Sequence, residues 1–87
     1  MMVVNKYEIL KNHCYTELVY QRINKKLGVN LSKDESEALI KKVLIETEAT
    51  QFEKLGKNFY ISNEKHNIRI TVNSNTFRII TVDKLVN

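Results

Sequence analysis

The chain has 87 residues, and fourteen Lys/Arg against ten Asp/Glu leave it at +4, which fits one mildly basic domain burying roughly two-thirds of its unfolded surface. With 43% hydrophobic residues the composition is that of a folded globule, while no apolar run reaches the length of a membrane span and no signal-peptide core opens the sequence. The single cysteine, Cys14, excludes an internal disulfide and fits a reducing cytoplasm, two glycines leave no phosphate-cradling loop, and two distant histidines argue against zinc; no cofactor is expected.

Charge falls in three zones. Residues 1–31 and 56–87 each carry five basic and two acidic groups (+3), whereas residues 32–55 carry four basic and six acidic (−2). No linker or repeat separates them, so residues 1–87 read as one α+β domain: two to three N-terminal helices (about 5–48) packed on a C-terminal antiparallel sheet of three or four strands (about 51–84).

Asn5 followed by Glu8 predicts a helix to about Asn12. Thr16 caps a second helix ending at Leu27, where Gly28 supplies the left-handed stop. Tyr15, Leu18, Val19, Ile23 and Leu27 share its apolar face, opposite Glu17, Gln21, Asn24 and Lys25. Ser32 and Glu35 form a capping box for a third helix. It buries Leu39, Ile40, Val43 and Leu44 and pairs Glu37 with Lys41 outside.

Near Thr47–Thr50 the apolar period changes from 3.6 to 2. Gln51–Leu55 reads as a strand, Gly56–Asn58 as a turn, Phe59–Ser62 as a second strand and Asn63–Asn67 as a hairpin loop. Ile68, Ile70 and Val72 alternate with Arg69, Thr71 and Asn73, a half-buried strand. Ser74-Asn75 then turns into Thr76–Val82. Phe77 and Ile79 point one way there and Ile80 and Val82 the other, so this last strand is expected at the sheet centre.

Three blocks occur in order at compatible spacing: Thr16-Glu17-Leu18 with Arg22-Ile23, then Gly56-Lys57-Asn58-Phe59-Tyr60-Ile61, then Ile70-Thr71-Val72-Asn73 with Ile79-Ile80-Thr81. Between residues 13 and 84 the chain thereby resembles a small bacterial family known as domain of unknown function 3781, whose usual forms are TEL-x3-RI, GKNWY and ITVNAYSYTIITAHK. The resemblance implies a compact single domain of bacterial or phage origin and no established activity. Val19 stands where that family usually has glycine, Phe59 where it has tryptophan, and Asp83 where it has histidine, so a general base at that last position is absent here.

Arg22 falls within the apolar sector of its helix. It either packs its stem at the edge and pairs with Glu17 or a strand residue, or it projects into a site. Lys57, Tyr60, Arg69, Asn73, Arg78 and Lys84 populate the sheet. If Arg69 and Arg78 share a face with Tyr60, they form a cationic platform for phosphates and a stacked base; otherwise they decorate a solvated sheet. A sharper alternative is a toxin-like ribonuclease using Tyr60, His66, Arg69 and Arg78, by analogy with small toxin nucleases. His66 sits in a hairpin loop, where an idle histidine is common. Adjacent His13 and Cys14 lack a third orienting group, so Cys14 reads as packing. Asp34, Glu35 and Glu37 read as helix-end carboxylates.

The first functional expectation is therefore a small intracellular module binding nucleic acid or a protein that handles it. A variant is a phage or mobile-element inhibitor of a host enzyme such as a CRISPR effector, contacting a protein face or guide RNA. The nuclease is the second class. The third is a homo-oligomer joined through a strand edge or the Ile45 surface.

Overall fold

The computed structural model describes residues 4–86. Helix α1 spans Lys6–Asn12, α2 Glu17–Leu27 and α3 Lys33–Glu46. A 3-10 turn at Ala49–Gln51 leads into strands β1 (Phe52–Leu55), β2 (Asn58–Asn63), β3 (Ile68–Asn73) and β4 (Ile79–Lys84). The strands form one antiparallel meander in the order β1-β2-β3-β4. Helices cover one face of it, giving the expected α+β arrangement.

The helix ends follow their capping chemistry. Asn5 accepts the Glu8 N–H, and Ser32 and Glu35 close a reciprocal box. Thr16 occupies the N-cap of α2 without a side-chain bond. Gly28, at φ 67°, stops α2 in the left-handed region, and Val29 N–H turns back to the Asn24 carbonyl at 3.0 Å. Asn24 then grips the Leu31 backbone through both side-chain atoms at 2.9 and 3.1 Å, which fixes the route into α3.

Between the layers lies one apolar core. Ile9, Val19, Ile23, Ile40, Val43 and Leu44 meet Phe52, Ile61, Ile68, Ile70, Val72, Ile79 and Val82. Burying each such side chain contributes about 1.5–3 kcal/mol, the main term set against chain entropy. Buried polar atoms are stitched in beside it: Asn63 donates to Thr47 Oγ1 at 2.9 Å, and Thr47 donates to the Val43 carbonyl at 2.6 Å.

Several expectations need correction. β4 is an edge strand. Its apolar residues on both sides reflect a bulge: Thr71 pairs with Thr81 and Val72 with Ile79, leaving Ile80 as the extra residue. The extra residue resets the alternation, so Ile79 and Val82 both reach the core. β4 also starts and ends later than Thr76–Val82, because Ser74–Phe77 form the loop and Phe77 takes φ 60°. Leu18, expected inside, is 63% exposed. Glu37 receives the Tyr20 hydroxyl at 2.7 Å in place of a Lys41 pair.

Candidate functional site

Helix α2 and strand β4 run side by side in the same direction. Just ahead of both, Cys14 and Arg78 form a parallel bridge: Cys14 N–H donates to the Phe77 carbonyl and Ile79 N–H to the Cys14 carbonyl, each at 2.9 Å. Further along, Arg22 Nη1 donates to the Ile80 carbonyl at 3.1 Å. Beyond that, Lys26 Nζ meets Asp83 at 3.2 Å. These contacts mark a seam along the open edge of the sheet.

The helical repeat places Leu18, Arg22, Lys25 and Lys26 within about 100° of arc on one flank of α2, and all four are exposed. Leu18, Arg22, Arg78 and Ile80 line a groove of about 190 Å³. Two guanidiniums therefore flank an apolar floor, Lys25 and Lys26 continue the line, and Lys84 stands at the far end of β4. Asp83 is the carboxylate that interrupts this row. Three further basic groups are engaged elsewhere, as Lys26 is here with Asp83. Lys33 holds Glu17, Lys65 holds Glu46, and Lys6 donates to the Ile45 and Thr47 carbonyls.

The sequence-derived site residues thus divide among three places. Arg22 and Arg78 share the groove, with Lys84 further down β4. Tyr60 and Arg69 line a depression on the uncovered sheet face. Lys57 and Asn73 belong to the loop end of the sheet. There Asn73 Oδ1 accepts the Asn75 and Thr76 N–H groups at 2.8 and 3.0 Å, and the Lys57 carbonyl accepts the Ser74 hydroxyl and N–H, both at 2.8 Å. Asn73 is thereby occupied in shaping the β3–β4 loop. His66 lies 3.3 Å from Glu46, outside the lining of the depressions that hold Tyr60, Arg69 and Arg78.

Leu18, Lys25, Lys26 and Ile80 are the seam residues that sequence reasoning did not select. Their signal was present but divided: a basic pair at the end of α2, and an isoleucine pair in β4 whose second member is displaced by the bulge.

A second cluster lies between the helices, where a cleft of about 480 Å³ is lined by Leu10, His13, Tyr15, Tyr20, Glu37 and others. His13 Nδ1 donates toward the Ile9 and Leu10 carbonyls at 3.2 and 2.9 Å, and Nε2 lies 3.0 Å from the Tyr15 hydroxyl. Tyr15 stacks on Tyr20 with ring centroids 5.7 Å apart. Burial, then the Glu37 charge and then Tyr20, push the Tyr15 phenol well above its usual range. Tyr20 is pushed up to about 12, by desolvation first and then by its hydrogen bond to Glu37. Both phenols stay neutral donors at ordinary pH, which makes them poor nucleophiles. Among the described residues no group of three or more His, Cys, Asp or Glu side chains is placed to hold a metal ion.

Fold and seam together define a small α+β protein with three helices on one face of a four-stranded meander and a row of cations along its last strand. The chain belongs to the family described as protein of unknown function (DUF3781), whose model matches residues 7–83. Neither the curated proteins nor the solved structures yield a match. Within the fold, the Thr16–Ile23 block and the Ile79–Thr81 block face each other across the groove, while the Gly56–Ile61 block forms the first hairpin turn and most of β2.

Proposed function

We propose that this domain is a nucleic-acid-binding module whose contact surface is the α2–β4 seam, acting in a reducing cytoplasm. The observation that carries the reading is the convergence of Arg22 and Arg78 on one groove, extended by Lys25, Lys26 and Lys84. A row of cations beside an extended strand suits a backbone of regularly spaced phosphates. Lining the groove are aliphatic and basic side chains and Thr16, without an aromatic ring, so phosphate contact outweighs base stacking and binding is sequence-tolerant.

The test is a titration of fluorescent single-stranded RNA and duplex DNA at about 50 and 200 mM salt, followed by a denaturing gel. With about three phosphates neutralised, affinity should fall roughly 20- to 40-fold between the two conditions. The nucleic acid should remain intact on the gel. Salt-independent binding, or none, would remove the reading, and cleavage would replace it with the nuclease.

A further inference from the structure

The sheet face turned away from the helices carries a second surface of different chemistry. Two depressions, of about 390 and 490 Å³, meet at Ser62 and Arg69. At one end are Leu55, 62% exposed, and half-buried Tyr60. At the other end are Leu85 and Val86. Their position is fixed: Asn67 holds Val86 through its side-chain amide and carbonyl at 2.8 and 2.9 Å, and its backbone carbonyl accepts Leu85 N–H at 3.3 Å. That end is a built wall.

Arg69 stands between the two ends. It pairs across the sheet with Asp83 in backbone register, but Lys26 draws that carboxylate to the edge at 3.2 Å. Arg69 is exposed; Nε donates to Ser62 Oγ at 3.4 Å, and among the described residues its Nη atoms have no hydrogen-bond partner. A planar fork with free donors recognises a carboxylate or phosphate in two-point geometry. The rim decides between them. Glu53 lines one depression and Glu64 the other, so a run of phosphates meets two carboxylates for one guanidinium and is repelled. A mixed-charge chain is not.

We propose that this trough docks an extended peptide segment of a partner protein: one carboxylate sits on the Arg69 fork, apolar side chains lie against Leu55–Tyr60 and Leu85–Val86, and a flanking basic residue meets Glu53 or Glu64. The domain then carries a nucleic-acid surface along its edge and a protein surface on its open sheet face, and it joins the two kinds of partner.

The test is selection of a random dodecapeptide display library on the full chain, with the Arg69→Glu protein as counter-target. Enriched peptides should carry an acidic residue between apolar ones, with a basic neighbour. A synthetic enriched peptide should lose at least tenfold in affinity for Arg69→Glu, and replacing its acidic residue by lysine should restore binding to that variant. Binding to Arg22→Ala/Arg78→Ala should be unchanged, which separates this surface from the seam. Circular dichroism checks that Arg69→Glu is folded, and Arg69→Ala supplies a second variant with the same expected loss. No enrichment over the counter-target, equal binding to Arg69→Glu, or displacement of the peptide by single-stranded RNA at this face would each overturn the proposal.

Discussion

Arg22 Nη1 donates to the carbonyl of Ile80 at 3.1 Å. Ile80 is the residue that the bulge in β4 leaves without a partner on β3. The arginine therefore covers a main-chain acceptor at an open sheet edge, and it places its charge where Arg78 already stands. One side chain serves both the edge and the seam.

The two roles separate by substitution. Arg22→Ala removes an exposed charge-assisted hydrogen bond, with an expected loss of about 1 kcal/mol of stability. On the proposed nucleic-acid reading it also removes one phosphate contact, lowering the slope of log affinity against log salt by about 1. Arg22→Lys should keep the slope while recovering only part of the stability, because an ammonium has no planar fork. Urea unfolding and the salt titration read the two quantities independently. Arg78→Ala should change the slope by a similar amount with little effect on stability, since the seam's hydrogen bonds to Cys14 are made by the Phe77 and Ile79 backbones on either side of it.

Ser36 offers a stabilising change. It is fully buried in α3, and its hydroxyl has no hydrogen-bond partner among the described residues. A buried hydroxyl without a partner costs about 1–3 kcal/mol, and alanine is the better helix former by about 0.5 kcal/mol. Ser36→Ala should raise unfolding stability by about 1 kcal/mol, after the small void left behind is discounted. A loss in urea unfolding would mean that the hydroxyl is bonded in solution.

Two carboxylates contribute to the acid sensitivity of the fold. Glu35 is held below its usual range by the Ser32 backbone N–H, then by the Ser32 side chain. Glu46 is held down by Lys65 first and His66 second. Because the folded values lie below the unfolded ones, their stabilisation is complete above the ordinary glutamate pKa of about 4.3 and fades as pH falls through the lowered values. Stability measured by urea between pH 6 and pH 3 should therefore decline. Glu35→Gln keeps a capping-box residue but cannot titrate, so its stability curve should be flatter over that interval.

How much of this was legible follows from the kind of information each feature needs. Helix starts at Asn5 and Ser32 and the stop at Gly28 depend on neighbours within four residues, and the structure has them where the spacing put them. The meander was legible too, because Ile68–Asn73 alternates cleanly. The bulge was not: Ile79-Ile80 reads equally as two buried faces or as one slipped residue, and only pairing with Thr71-Val72 distinguishes them. Leu18 misled for a related reason. Periodicity gives the centre of an apolar stripe, but how far around α2 the sheet extends is set by β4 being an edge. Asn73 looked like a polar face residue and proved to be a loop organiser, a choice that depends on the four-residue turn after it. Arg69 and Arg78 separated because the loop and bulge intervene between their strands' regular stretches.

At alkaline pH the helical cleft supplies a reporter. Tyr20 is raised to about 12 by desolvation and by its bond to Glu37. A folded pKa above the unfolded value contributes stability below about pH 10 and loses it as pH rises toward the folded value. Phenolate absorbance should show a late-titrating component that coincides with loss of the fold. Glu37→Gln removes the negative charge beside the phenol, so that component should move to lower pH. If the titration is unchanged, Glu37 does not hold Tyr20 in solution.

The sheet edges bear on self-association. β4 is guarded along its outer side by Cys14, Arg22 and the Lys26–Asp83 pair. β1 is open but only four residues long, with Glu53 and Lys54 at its centre. Antiparallel pairing of two copies about an axis normal to the sheet keeps each residue on its own face. The register must then centre on a single residue, setting Glu53 against the partner's Glu53 or Lys54 against the partner's Lys54. Either juxtaposition repels, and charged short edges are how sheets avoid such pairing. The chain should therefore elute and scatter as a 10.2 kDa monomer at low and high salt alike. Replacing the charges, as in Glu53→Thr/Lys54→Val, should open β1 to pairing and give concentration-dependent dimers. A wild-type dimer that survives high salt would place self-association on another surface, with exposed Ile45, at 52%, the first position to substitute.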